Sequence, residues 1–162
     1  MESKQLHSII GIWTNACRFL LAVVFIFSGF VKAVDPLGTQ YKIQDYLEAF
    51  GWAASVPAFL PFLASILQAM VEFCLGVYLL FGIRRRMTTL FVVLIMGVMT
   101  PLTLWLALSN PISDCGCFGD AVTLTNWETF GKNVFLLIAA ASVFKWGNLS
   151  LIHISEPTRP RL

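Results

Sequence analysis

Four long apolar runs constrain the fold of this chain more than any other feature of its sequence. A helix needs about 20 apolar residues to cross a hydrocarbon core about 30 Å thick. Lipid offers no partner for backbone N–H and C=O groups, so such runs form helices that pair those groups internally. We therefore predict membrane-spanning helices at about residues 12–34, 57–83, 88–108 and 127–146, the fourth being the weakest because Lys132 lies inside it.

The composition agrees with lipid as the solvent of this chain. Only 12% of the residues are charged and 57% are hydrophobic, whereas soluble domains carry about 25% charged residues. The formal net charge of +2 gives no indication of a nucleic-acid partner. The first apolar run is too long to be the core of a cleavable signal peptide. We expect an all-α, polytopic membrane protein built as a four-helix bundle.

The C-terminal stretch 149–162 has a different character from the rest of the chain. Residues 149–159 resemble a translated sequencing adaptor. We expect a membrane domain at 1–148, an artefactual tail after it, and a natural reading frame that continues beyond Asn148; a genuine short polar tail is the alternative. Without the tail, His7 is the remaining histidine. A histidine-ligated metal or haem site is then not expected.

Basic residues predict the orientation of the helices. The turn Arg84-Arg85-Arg86 is expected on the cytoplasmic side by the positive-inside rule. By alternation, the N-terminus is cytoplasmic, and the connections 35–56 and 109–126 face outward. In a bacterium this outer side is the periplasmic face of the inner membrane.

The first external connection contains a short helical pattern. Ile43, Tyr46, Leu47 and Phe50 follow the i, i+3, i+4, i+7 spacing of one helix face. We expect a short amphipathic helix lying at the membrane interface. A helix that binds a partner protein would have the same pattern.

The run Asp114-Cys115-Gly116-Cys117 is the most informative chemical feature of the sequence. A disulfide between residues two apart closes a very small ring, and the permissive backbone of Gly116 is suited to it. Strained disulfides are more oxidising, which favours electron acceptance from other thiols. A structural disulfide and half of a metal site are the alternatives; no histidine or further loop cysteine completes a metal site. The residues alone leave redox and structural roles open.

Glu72 lies inside the second apolar run, where an unpaired carboxylate costs several kcal/mol. It shares a helix face with Ser65, Gln68 and Gly76, and this face is expected to look into the bundle. The functional hypotheses are proton uptake and hydrogen bonding to quinone. The alternative is a neutral acid that locks one helix to another.

Two lysines are expected near the depth of the cysteine loop. Lys32 lies at the external end of the first helix, where its side chain can reach the interface and pair with Asp35. Lys132 lies at a similar level of the fourth helix, one turn after Glu128. Ammonium groups near a thiol favour the thiolate. Each lysine could equally be an ordinary interface anchor.

Several of these residues together resemble those of a known family. The run 28–32, Asp35, Glu72 and the run 114–119 are similar to the corresponding motifs of MauE and DoxX-like membrane proteins, with Cys-Gly-Cys-Phe-Gly as the specific part. The resemblance covers about residues 12–146. The longer first loop and the apparent truncation resemble members from Bacteroidetes, in which such a domain can be the front half of a longer protein.

The resemblance implies a function in the cell envelope. MauE proteins are associated with the maturation of methylamine dehydrogenase, a disulfide-rich periplasmic enzyme, together with a thioredoxin-like partner, and DoxX-like proteins are linked to quinone-coupled oxidation. By similarity, Cys115 and Cys117 form a redox pair, and Lys32 and Glu72 are polar positions typical of the family. Two functions follow as hypotheses: thiol–disulfide electron transfer, with the partner thioredoxin-like or in a missing C-terminal domain, or a non-catalytic scaffold with a structural disulfide.

Overall fold

The protein is all-α throughout the part of the chain that its structure describes. The structure, a computed structural model, describes residues 2–112, 115–117 and 124–147, with side chains from residue 9 onward. These residues form five α-helices and one 3₁₀ turn at Ala53–Ser55. The helices are α1 (Glu2–Val34), α2 (Pro36–Ala49), α3 (Leu60–Phe81), α4 (Arg85–Ser109) and α5 (Asn126–Trp146).

Three of the helices have the length and apolar composition of membrane spans. They are the segments Ile9–Val34 of α1, Leu60–Phe81 of α3 and Arg85–Ser109 of α4. The 21-residue helix α5 carries Glu128, Lys132 and Lys145 and falls outside this group. The structure therefore confirms a helical membrane protein and the helix at each predicted run, while the fourth crossing stays a prediction.

Two glycines bring α1 and α3 into close contact. A Cβ atom added to Gly29 would lie 2.5 Å from the backbone nitrogen of Phe73, and one added to Gly76 would lie 2.6 Å from that of Ile26. Such an approach is open only to very small residues, as in many membrane helix pairs. The contact sets the register that places polar residues of α1 opposite those of α3.

The apolar residues divide between an inner core and an outer surface. The buried core draws on α1, α3, α4 and α5 and includes Leu21, Leu79, Val92, Leu136 and Ala140. Large apolar side chains also cover the outside of the bundle. This exposed apolar surface matches a protein whose solvent is the bilayer rather than water; its members include Phe19, Leu67, Val98, Leu108, Phe135 and Ile138.

The predicted short helix after α1 is present as α2. The Asp35 carboxylate accepts a 3.0 Å hydrogen bond from the Gly38 N–H, and Pro36 occupies the first turn, so both residues define the helix start. α2 packs against α3 and α1. The predicted pairing of Lys32 with Asp35 is wrong: Asp35 caps α2, while Lys32 turns inward to a carboxylate on α3.

Helix α5 is held at its start and against α4. Thr125 and Glu128 form a capping box, in which the Thr125 N–H donates to Glu128 Oε2 at 3.0 Å and the Glu128 N–H donates to Thr125 Oγ1 at 3.3 Å. Further along, the buried Asn133 side chain donates to Thr103 Oγ1 on α4 at 3.3 Å. These contacts fix the face of α5 that carries Lys132.

Candidate functional site

The two loop cysteines lie side by side. Their Sγ atoms are 2.8 Å apart and not bonded, so a small movement would close the disulfide, whose S–S bond is about 2.05 Å. Gly116 between them has a φ of +66°, in the left-handed region that favours glycine. A Cβ there would also lie 2.7 Å from Cγ of Lys42. Asp114, the remaining residue of the predicted motif, lies outside the described residues.

Helix α2 contacts the cysteine loop directly. The Tyr46 hydroxyl lies 3.2 Å from the Cys115 carbonyl oxygen and 3.4 Å from Cys115 Sγ, close enough to donate a hydrogen bond to either. The methylene groups of Lys42 pack against Gly116. The sequence placed Tyr46 only on the apolar face of a helix, so its contact with the thiol was missed.

The two thiols differ in acidity. The pKa of Cys115 is lowered from 9.0 to about 7, first because the Cys117 thiol donates a hydrogen bond to it, and further by Tyr46 and by the charges of Lys132 and Lys32, while burial opposes the change. The pKa of Cys117 is raised well above its usual range, since it gives the hydrogen bond to Cys115 and is itself desolvated. Near neutral pH, the thiolate is therefore carried by Cys115.

A buried polar network lies directly beneath the loop. Lys32 Nζ is 2.7 Å from Glu72 Oε1 and 2.6 Å from Oε2. The carboxylate also accepts from Gln68 Nε2 at 3.1 Å, and its Oε2 lies 2.7 Å from Ser28 Oγ. Lys32 is 2% exposed and Glu72 8% exposed, so the pair is removed from both water and lipid. The face of α3 that carries Ser65, Glu72 and Gly76 is therefore directed into the bundle, as predicted.

Ser28 joins this network to the cysteine loop. Its Oγ lies 2.7 Å from the Cys117 carbonyl oxygen, 2.7 Å from Glu72 Oε2 and 3.1 Å from Lys32 Nζ. The loop backbone is thus one hydroxyl group away from the buried carboxylate. Ser28 and Lys32 are four residues apart and therefore share one face of α1, but this spacing does not indicate the link to a loop 89 residues further along the chain.

The cysteines and the network line one cavity of about 220 Å³. Its polar lining includes Cys115, Cys117, Lys32, Glu72 and Lys132, and its apolar lining includes Ile95, Met96, Met99 and Leu136. Thr39 also lines the cavity, and its buried Oγ1 has no hydrogen-bond partner among the described residues. A buried hydroxyl in this state favours a ligand that can accept a hydrogen bond.

Within residues 9–112, 115–117 and 124–147, no three histidine, cysteine or acidic side chains are grouped as metal ligands. The cysteine side chains contact each other, and Cys115 also contacts the Tyr46 hydroxyl. The arrangement can form and break a disulfide, and it can hold a thiolate next to two ammonium groups.

Comparison with known proteins gives a family match over most of the chain. The family described as "Methylamine utilisation protein MauE" matches residues 9–145, a range that contains the cysteine loop, the buried network and the cavity. No curated protein and no solved structure shows a significant match to the chain.

Proposed function

This chain belongs to the MauE family of membrane proteins, and we propose that it transfers electrons by thiol–disulfide exchange through Cys115 and Cys117. The observation that carries the proposal is the pairing of two thiols 2.8 Å apart, with the pKa of Cys115 lowered to about 7. A dithiol that keeps one sulfur ionised near neutral pH is stabilised in its reduced form, so its disulfide is a good electron acceptor.

The difference between the sulfurs gives a direction to the exchange. The lower pKa of Cys115 favours its release as the leaving group, so we assign Cys117 as the sulfur that an external thiolate attacks. Attack of the external thiolate on the disulfide forms a mixed disulfide with Cys117 and releases Cys115 as the thiolate, which is the better leaving group because of its lower pKa. A second thiolate of the partner then attacks the partner sulfur, which releases Cys117. The partner gains a disulfide, and the pair gains two electrons.

Reoxidation of the pair requires an acceptor, and we propose a lipid-soluble quinone. When bound, a quinone supplies a two-electron, two-proton acceptor. The chemistry of the cavity lining suits such a ring: the Thr39 hydroxyl and Lys32 can donate to a carbonyl oxygen, while Met96 and Met99 supply apolar surface. Replacement of Met99 by the larger Trp would reduce the cavity volume, and quinone-dependent reoxidation should then slow while reduction by external dithiols continues.

The proposed location is the outer face of a bacterial inner membrane, with four crossings and a cytoplasmic N-terminus. Arg84, Arg85 and Arg86 at the opposite end of the bundle support this orientation through the positive-inside rule. The proposed electron donor is an exported thioredoxin-like protein.

A mass-spectrometric exchange experiment tests the proposal. The oxidised protein in lipid nanodiscs is exposed to a small aromatic monothiol, and adducts are mapped by fragmentation. We expect an adduct on Cys117 with Cys115 left as a free thiol, and none in Cys115→Ser or Cys117→Ser. Cys74→Ser, which changes an exposed cysteine of α3, is the matched control and should behave as the unchanged protein. An oxidised pair that forms no adduct would instead favour the non-catalytic scaffold.

A further inference from the structure

The hydrogen bonds around Ser28 contain one proton too few when Glu72 is ionised. A serine hydroxyl carries a single proton. Ser28 Oγ nevertheless lies 2.7 Å from two oxygens that can only accept, those of the Glu72 carboxylate and of the Cys117 carbonyl. If Ser28 donates to one of them, the other faces it at hydrogen-bond distance with no proton between.

A proton on Glu72 removes this conflict. The Glu72 carboxyl group then donates to Ser28 Oγ, and the Ser28 hydroxyl is free to donate to the Cys117 carbonyl. The three protons of the Lys32 ammonium group can still be donated to Glu72 Oε1, Glu72 Oε2 and Ser28 Oγ, from which its Nζ is 2.7 Å, 2.6 Å and 3.1 Å away. Every close contact of the network then has a proton.

The charge of the site identifies where this proton comes from. A neutral Cys115 thiol with Lys32 and ionised Glu72 has a net charge of zero. A Cys115 thiolate with Lys32 and protonated Glu72 also has a net charge of zero. Transfer of a proton from the thiol to the carboxylate therefore leaves the net charge of the cavity unchanged, whereas ionisation of Cys115 beside an ionised Glu72 would add a second anion to the same cavity.

We propose that Glu72 accepts the proton released by the Cys115 thiol, and that Ser28 converts this transfer into a hydrogen bond that holds the Cys117 carbonyl. The S–H bond of Cys115 breaks and an O–H bond forms on Glu72, with no change in electron count. Both groups line the same cavity of about 220 Å³, which has room for bridging water at about 30 Å³ per molecule. The proposal rests on the thiol chemistry described above and assigns it a proton acceptor and a positioning residue.

The charged groups around Glu72 come from each neighbouring part of the fold. Lys32 lies on α1, Lys42 and Tyr46 on α2, Lys132 on α5, and the two thiols on the loop; α4 contributes Ile95, Met96, Met99 and Leu102 to the cavity, none of them titratable. In this surrounding, Glu72 is the carboxylate that lines the cavity.

A proton shared between Cys115 and Glu72 should be detectable in the pH dependence of Cys115 ionisation. Two coupled groups do not titrate as single sites, and their curves are broadened. The ionisation of Cys115, measured by its alkylation rate as a function of pH, should be broader than a one-proton curve while centred near neutral pH. In Glu72→Gln the acceptor is lost but the side chain can still hydrogen bond. Its profile should narrow to a one-proton curve, with a change of about tenfold per pH unit below the midpoint.

Ser28→Ala separates proton acceptance from positioning. Glu72 remains in this variant, so the broad profile should be kept. The Cys117 carbonyl loses its hydrogen bond, and oxidative closure of the Cys115–Cys117 disulfide should slow by about fivefold, the effect expected from one hydrogen bond. Ser65→Ala is the matched control, because Ser65 is a fully buried serine of α3 that donates to the Phe62 carbonyl and not to the loop; it should change neither readout.

The decisive comparison uses full-length protein in nanodiscs, with each cysteine adduct assigned by mass spectrometry. A folded Glu72→Gln variant that keeps the broad profile would overturn the proposal. If this variant does not fold, infrared spectra of the unchanged protein provide the test: a carboxylic acid C=O band should grow as the S–H band of Cys115 is lost, and loss of the S–H band alone would overturn it. Alkylation requires no exchange partner, so failure here is distinct from failure of the monothiol exchange experiment.

Discussion

Removing the charge of Lys32 should destabilise the bundle strongly. In Lys32→Met, the Glu72 carboxylate stays buried with Gln68 and Ser28 as its hydrogen-bond donors and loses the ammonium group that lies 2.6 Å from its Oε2. Loss of one partner from a buried ion pair costs about 3–5 kcal/mol, because the other charge remains desolvated. Since the Lys32 and Glu72 side chains are only 3% and 10% exposed, little of this cost can be relieved by water. We therefore expect Lys32→Met to lower the free energy of unfolding by about 3–5 kcal/mol.

The double variant Lys32→Met with Glu72→Gln distinguishes an uncompensated charge from lost packing. It removes both charges and keeps similar volumes, so it should recover most of the free energy of unfolding lost in Lys32→Met. The assay is reversible unfolding in mixed micelles followed by far-ultraviolet circular dichroism. Lys145→Met, which changes a lysine near the C-terminal end of α5, is the control and should cost less than about 1 kcal/mol. A double variant as unstable as Lys32→Met would refute this reasoning.

Three further results are expected. Gly116→Ala should slow oxidative closure of the disulfide, because the φ of +66° is strained for alanine and its Cβ would lie 2.7 Å from Lys42 Cγ; unchanged closure kinetics would contradict this. The alkylation rate of Cys115 should rise with pH through a midpoint near pH 7 and level off above it, whereas Tyr46→Phe should raise the pKa of Cys115 and slow its alkylation at neutral pH; equal rates would show that the hydroxyl does not support the thiolate. In intact cells, an impermeant thiol reagent should label Trp52→Cys but not Arg85→Cys, and the reverse pattern would invert the proposed topology.

The helices were predictable because each depends on local sequence. The helices predicted at the apolar runs 57–83 and 88–108 are observed as Leu60–Phe81 and Arg85–Ser109. Lipid requires helical backbone wherever an apolar run is long enough to cross the membrane. The i, i+3, i+4, i+7 spacing predicted α2 because it places apolar residues on one face of a helix. α1 begins at Glu2, about ten residues before its apolar run, because a helix can continue beyond the membrane with polar residues.

The partners within the site were harder to predict because they depend on how helices dock. Asp35 was the natural partner for Lys32 by sequence distance, yet Glu72 binds it from 40 residues away. The close approach of α1 and α3 at Gly29 and Gly76 decides this pairing, and a single sequence does not show which glycines face each other. The contact of Tyr46 with Cys115 has the same origin, since it spans 69 residues between two separately placed segments.

Redox titration of the cysteine pair tests thiol–disulfide exchange most directly. The protein in nanodiscs is equilibrated in thiol–disulfide buffers of known potential, and the fraction of oxidised Cys115–Cys117 is measured by alkylation and mass spectrometry. Because the lowered pKa of Cys115 stabilises the reduced pair, we predict a single two-electron midpoint well above about −300 mV, the value below which structural disulfides typically lie. A pair that remains oxidised at potentials below about −300 mV would contradict electron transfer through these cysteines.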